Sequence, residues 1–381
     1  MRKTARRILG CCILVLAFFC ALYMSFGQER VFRECKNGSV PRSISLVGDI
    51  IIGSDGEVWH QIVRNGYDPA SIFESKLLDQ VRESDVIFAN LEGVITSSVL
   101  VRKKTTVLVA TSTSSGFVEI DVDANVSESQ FVESTPEFSI KVSKDVIRFF
   151  KNIYNGPVVL SFANNHAADF GEQGISDILS FATEFNVPIV GIGHDDDEAA
   201  KAKYFDISGT RVAFLASTDL LPQSYFARED RLGVAELTEK KLRSSIKEAK
   251  LHADVVIVAL HTGGGLFSIF SYEPDEGQKR FAEIATAAGA DIVVGSHPHG
   301  LQKVEKRGGK LIAYSLGAFI YNPTVSQKYS KGNPFYGPTQ FKGGGLLEVY
   351  ICKGEGVVDF EVVPTKSIRS KNRTQVGRAD D

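Results

Sequence analysis

Five short polar motifs, each placed where an apolar run ends, constrain this chain more than any other feature. They are Gly48-Asp49, Asn90-Leu91-Glu92, Asn164-Asn165-His166, His261-Thr262-Gly263 and Gly295-Ser296-His297-Pro298-His299. The runs, among them Ile44–Val47, Val86–Ala89, Val158–Phe162, Val212–Leu215, Val255–Val258 and Ile292–Val294, mostly lack alternation, as expected of strands covered on both faces. Between them Ile175, Ile178, Leu179, Ala182 and Phe185 recur at helical spacing, as do Phe281, Ile284, Ala285 and Ala288. The pattern predicts an α/β layered fold. In such folds polar side chains converge at the carboxyl ends of strands.

Four of the seven histidines fall in these motifs, and the other polar groups there are mainly carboxylates and amides. Imidazole and carboxylate brought together from separate strands are the ingredients of a metal-assisted hydrolytic site. The candidate metal ligands are Asp49, Glu92, Asn165, His261, His297 and His299, with His166 and Asp169 as catalytic candidates. Taken singly, each has a plainer reading. Asp49 can cap a turn, Glu92 can be a solvated loop carboxylate, and His261 can be a satisfied core histidine. Asp169 can orient His166 or close the turn before Gly171. His194, in a Gly-rich loop before an acidic stretch, reads as a helix start, and His60 and His252 belong to no motif.

The amino terminus is a separate matter. Ile8 to Phe26 is an uncharged run preceded by Arg2, Lys3, Arg6 and Arg7. At about 1.5 Å per residue it roughly matches the hydrocarbon thickness of a bilayer. Basic residues upstream keep the terminus cytoplasmic, so the expectation is a single-pass cell-membrane protein whose bulk is extracytoplasmic. A cleaved signal peptide is the competing reading, disfavoured by the length of the run and a poor small-x-small site at Ser25-Phe26-Gly27. Beyond this segment the only cysteines are Cys35 and Cys352, which can pair or remain two free thiols.

The expected organisation is a basic terminus (1–7), an anchor (8–26), a linker (27–42), one domain (43–366) and a polar, disordered tail (367–381). Residues 97–135, rich in Ser, Thr and Val, are expected to be an insertion in the domain, and 322–345 an irregular stretch near the motif rim. Lys328, Lys331 and Lys342 in that stretch are solvated loop lysines or an anion-attracting patch. Gly263-Gly264-Gly265 could cradle a phosphate, and Phe267, Phe270 and Tyr272 form a substrate wall or a packed cluster. A net charge of only −3 gives no reason to expect nucleic acid.

The chain resembles the CapA family of bacterial capsule-synthesis proteins, which includes the PgsA subunit of poly-γ-glutamate synthesis and belongs to the calcineurin-like metallophosphoesterase superfamily. The segments that carry the resemblance are Gly48-Asp49-Ile50, Ala89 to Glu92, Phe162 to Gly171, Ala288 to His299 and Tyr314 to Gly317. The resemblance implies a four-layer αββα sandwich with a two-metal site. It would place Asp49 and His299 on the first metal, Glu92 between the two, and Asn165, His261 and His297 on the second. His166 would be the general acid. The superfamily's usual Asp-x-His here has Ile51 at its third position, and the family's usual His-Trp-Gly is His261-Thr262-Gly263. The first metal then keeps Asp49, Glu92, His299 and water, an oxygen-rich set that suits manganese or magnesium better than zinc.

The function so implied is a membrane-anchored protein of capsule or poly-γ-glutamate synthesis or export, with a phosphoesterase-type hydrolytic site. Its partners would be an anionic polymer or phosphoester, the membrane and other subunits of the polymer machinery. The alternatives are a non-catalytic polymer- or metal-binding subunit of that machinery and hydrolysis of the polymer's own amide bonds.

Overall fold

A computed structural model of the chain describes residues 34–53, 66, 68–97, 139–263, 272–321, 343–370 and 373–379. The anchor at 8–26, almost all of the 97–135 insertion, Gly264 and Gly265, Phe267, Phe270 and the three loop lysines lie outside these residues. Among the described residues no helix is long and apolar enough to cross a membrane. The chain divides into two units, Met1–Pro41 and Arg42–Asp381. In the first, the Gly38 amide closes a turn on the Cys35 carbonyl at 2.8 Å. Cys35 and Cys352 are each disulfide-bonded rather than free thiols.

The second unit is a mixed α/β structure built on two large sheets. One has parallel strands Arg42–Ile50, Val86–Leu91, Val158–Ser161 and Ile189–Val190 side by side, extended on the Arg42–Ile50 side by antiparallel Gly345–Cys352, Gly356–Ser370 and Arg373–Arg378. The other runs Thr210–Thr218, Val255–His261, Ile292–Ser296 and Lys310–Ala313 in parallel, with antiparallel edges Lys203–Ile207 and Val304–Arg307.

Side-chain parity along these strands divides the core. Val255, Ile257, Ala259, Ile292 and Val294 of the second sheet join the cluster that contains the first sheet. Their neighbours Val256, Val258, Leu260 and Val293 pack instead with Leu242, Ile246, Ala282 and Ala285 of helices Glu239–His252 and Glu276–Ala288. Phe88 of the first sheet stacks on Phe214 of the second, with centroids 5.7 Å apart, so the two sheets meet face to face. Because alternate residues share a face, Asn90, two beyond Phe88, and His261 and Ser296, in phase with Ala259 and Val294, belong to the inner faces. The fold thereby delivers polar strand ends to the seam between the sheets.

Two glycines make that delivery possible. The segment Tyr314 to Gly317 crosses between the strand ends, and a Cβ on Gly48 would lie 1.9 Å from the Gly317 carbonyl oxygen, one on Gly295 1.9 Å from that of Tyr314. No side chain fits either gap. Gly48 also sits at a bulge: Val47 pairs with Ala89 and Asp49 with Asn90, so one extra residue re-aims Asp49.

Within the expected tail, residues 373–378 are ordered. Residues 373–378 form an antiparallel strand on Gly356–Ser370, with Ser367 to Ser370 inside the ladder. Val376 is fully buried in the main core, its carbonyl accepts from the Glu74 amide at 2.9 Å, and the Arg378 amide donates to the Glu74 carboxylate at 3.0 Å. The expectation of disorder rested on polar composition, yet a single well-placed valine and backbone pairing suffice to hold an edge strand. Deleting residues 373–381 is expected to lower unfolding stability by about 4 kcal/mol, from about 2 for a buried valine and about 1 for each of two lost hydrogen bonds. Urea denaturation measures it; an unchanged midpoint would restore the disordered tail.

Candidate metal centre

The site grows from two register pairs. On the first sheet Asp49 lies beside Asn90, and on the second His261 lies beside Ser296. Asp49 is fully buried. Its Oδ1 accepts from Asn90 Nδ2 at 2.7 Å, and its Oδ2 accepts from the His297 amide at 3.3 Å and lies 3.3 Å from His299 Nδ1. Asn90 Nδ2 is also 3.3 Å from His261 Nδ1, which lies 2.8 Å from Ser296 Oγ. On the other ring edge, His261 Nε2 faces Asn165 Oδ1 at 2.7 Å. These contacts join the two sheets.

The turn after Val158–Ser161 supplies the next residues. Asn164 ties it to the neighbouring strand by donating to Asn90 Oδ1 at 3.2 Å and the Leu91 carbonyl at 3.0 Å, and it accepts from the His166 amide at 3.1 Å. Asp169 Oδ2 accepts from the Ile140 amide at 2.7 Å and meets His166 Nδ1 at 2.8 Å. That fixes the imidazole so that Nε2 looks toward Glu92, 3.7 Å away. The structure thus gathers all eight residues singled out in the sequence. It does not bring in His194, which is exposed and paired with Glu198 at 2.7 Å, or His252, which pairs with Glu248 on its own helix.

The electrostatics suit a bound cation. Both carboxylate oxygens of Glu92, a fully buried residue, and Nδ1 of His297 are buried with no hydrogen-bond partner among the described residues. An isolated buried carboxylate costs many kcal/mol unless protonated or paired. Burial, with Asp49 and Asp169 nearby, accordingly holds the Glu92 pKa well above the usual carboxylate range. Burial acts on Asp49 in the same sense, but the His299 contact, the neighbouring imidazoles and Asn90 outweigh it and the net shift is downward. Burial also pushes His261 well below its ordinary value, Asp49 opposing and the other histidines reinforcing. His297 is brought down to about 4, again by burial first and then by His299.

Neutral imidazole and ionised carboxylate are the ligating forms; His261, His297 and Asp49 are held in them, and a cation beside Glu92 would favour its ionised form too. One donor atom each from Asp49, Glu92 and His299 lie within 4.8 Å of one another. The residues present therefore fit divalent cations. His297 adds backbone strain: its φ of 95° lies in the left-handed region that non-glycine residues avoid.

Asn90, Asn164 and Ser296 belong to the polar motifs and Ser315 to the segment Tyr314 to Gly317, yet only their contacts reveal what they do. Ser315 donates to the Pro298 carbonyl at 2.6 Å and accepts from the Gly317 amide at 3.0 Å, which pins the His-Pro-His turn. Their one signal in the sequence is being polar at the end of apolar runs, and for Asn164 and Ser296 also standing next to a candidate ligand.

A mixed α/β chain with buried carboxylates and neutral imidazoles at converging strand ends is, in class, a candidate metalloprotein. The family model for the bacterial capsule synthesis protein PGA_cap matches residues 43–323, and the chain belongs to that family. It is similar to the PGA biosynthesis protein CapA of Bacillus subtilis (strain 168), 32% identical over 238 residues, 62% of this chain and 57% of that protein. It is also similar to the capsule biosynthesis protein CapA of Bacillus anthracis, 30% identical over 213 residues, 55% of this chain and 47% of that one. The chain spans about half the length of these curated relatives. Among solved structures, the calcineurin-like phosphoesterase YfkN from Bacillus subtilis aligns with a TM-score of 0.39 at 13% identity, over 89% of this chain and 91% of that chain.

The electrostatics and the strain each lead to a measurable outcome. In chelated protein, His297 stays neutral down to about pH 4 while the unfolded residue titrates near 6.5. The unfolded chain then binds a proton the folded site refuses, so this group's contribution to stability falls as pH drops from about 6.5 to about 4, by on the order of 3 kcal/mol. Glu92, with its raised pKa, acts in the opposite sense. Urea titrations of wild type and His297→Gln across that window isolate the imidazole: the fall is expected to be smaller in the variant, and equal falls would refute the assignment. The strain predicts that His297→Gly is more stable than His297→Ala by about 1 kcal/mol, the reverse of the usual order. Thermal unfolding of the two variants decides it.

Proposed function

We propose that this protein is a membrane-anchored, extracytoplasmic CapA-like protein that acts in making or exporting an anionic surface polymer such as poly-γ-glutamate. We infer that its strand-end site is a two-cation hydrolytic centre of phosphoesterase type in a four-layer αββα sandwich. The observation that carries the second reading is Glu92, a buried carboxylate with both oxygens unpartnered among the described residues, facing two imidazoles. Membership of the capsule-synthesis family supports the first, and residues 8–26 supply the anchor.

Asp49, Glu92 and His299 would hold one cation and Glu92, Asn165, His261 and His297 the other, manganese or magnesium suiting the oxygen-rich first set. Such a pair supplies Lewis-acid polarisation of a phosphoryl group and a nucleophile at neutral pH. The chain's own residues do the rest. Asn90 and Ser315 keep the ligands in place from behind. Asp169 holds His166 at Nδ1, and an imidazolium so oriented can release the proton on Nε2 to the leaving oxygen, which makes His166 the general acid. The partners in this reading are the membrane, the anionic polymer or a phosphoester, and the membrane subunits of the polymer machinery.

The test uses full-length protein in detergent, a chromogenic phosphodiester and added manganese. Hydrolysis is expected, with His166→Ala lowering kcat at least about a hundredfold while cation stoichiometry is retained. A second reading, a non-catalytic subunit that binds polymer or metal, draws on Ile51, a buried apolar side chain where the superfamily has a ligand. Protein that binds manganese, retains it in the His166→Ala variant and hydrolyses nothing supports that subunit and ends the enzymatic proposal.

A further inference from the structure

Two acceptor atoms confront each other in the second half of the site. His261 Nε2 and Asn165 Oδ1 lie 2.7 Å apart. Two bare lone pairs repel at that distance, so something positive stands between or beside them. Without a cation it is the imidazole proton on Nε2, donated to Asn165. With a cation beside both atoms, Nε2 must offer its lone pair instead, and the ring keeps its neutrality only if its proton sits on Nδ1.

The surroundings of Nδ1 match both states. Asn90 Nδ2 lies 3.3 Å away and can only donate, and its orientation is fixed because Asn90 Oδ1 accepts from Asn164. It favours an unprotonated Nδ1. Ser296 Oγ, at 2.8 Å, is a hydroxyl that donates or accepts according to need. Its place is dictated by the strand register, His261 against Ser296 on the adjoining parallel strand, and the residue is 7% exposed, so solvent does not readily substitute for it.

We propose that Ser296 is the positioning residue that sets the tautomer of His261: it donates to Nδ1 in the cation-free site and turns to accept the Nδ1 proton when a divalent cation engages Nε2. The ring loses a proton at Nε2 and gains one at Nδ1, water carrying it, so no net charge changes on the imidazole. Ser296→Ala removes the acceptor and leaves Asn90 alone, which stabilises the non-ligating tautomer. This inference rests on the cation reading of the site and not on turnover.

The test takes full-length protein in detergent with zinc as a diamagnetic probe. Long-range nitrogen–proton spectra of histidine-labelled wild type report the tautomer directly. We expect His261 to carry its proton on Nε2 in chelated protein and on Nδ1 with zinc bound. By calorimetric titration, Ser296→Ala is expected to bind zinc about ten- to a hundredfold more weakly, and Ser296→Thr, which keeps the hydroxyl, to recover most of the loss. A proton on Nδ1 in both states overturns the switch, and so does wild-type affinity in Ser296→Ala. Wild type that binds zinc without hydrolysing any phosphodiester ends the enzymatic reading and leaves this one standing, whereas wild type that binds no cation ends both.

Discussion

A hydrogen-bonded chain of buried side chains, from Asp49 through Asn90 to His261 and Ser296, crosses the seam between the two sheets, and the rest of the site is arranged around it. It forms because parallel strands in register set equivalent residues side by side on one face. Asn90 is the register partner of Asp49, and Ser296 that of His261. Each sheet thus prepares one ligand with one polar neighbour, and stacking the sheets face to face completes the chain. The apolar layer below, where Phe88 meets Phe214, keeps the sheets at the separation this requires.

The same seam concentrates unfavourable features. Glu92 has no hydrogen-bond partner for either oxygen among the described residues, His297 is held at a positive φ, and two imidazoles are kept neutral by burial. None of these helps the chain to fold on its own. Together they describe a site shaped for positive charge that is paid for by the large core beneath it. The crossing segment Tyr314 to Gly317 shows how tight the arrangement is: it touches Gly48 on one sheet and Gly295 on the other through gaps that exclude any side chain.

Much of this is legible in the sequence because apolar runs and helical spacing are local signals. The spacing from Ile175 to Phe185 corresponds to helix Gly171–Phe185, that from Phe281 to Ala288 to helix Glu276–Ala288, and each unbroken apolar run to a strand. The strand at 373–378 departs from expectation because an edge strand held by backbone bonds and one buried valine carries almost no compositional signal. Asn90, Asn164 and Ser296 stand in the motifs without a visible role, since hydrogen bonding to a ligand from another strand leaves no trace in spacing.

The sequence by itself determined which groups reach the ends of the strands, because the length of each apolar run fixes where its strand can end and which polar residue comes next. Tertiary structure alone decided which of those ends meet, which nitrogen of His261 faces Asn165, and that Glu92 is left without a hydrogen-bond partner among the described residues. Those outcomes depend on the register between neighbouring strands and the stacking of two sheets, relations between residues up to 248 positions apart, as in the bond from His297 to Asp49. No local pattern encodes them.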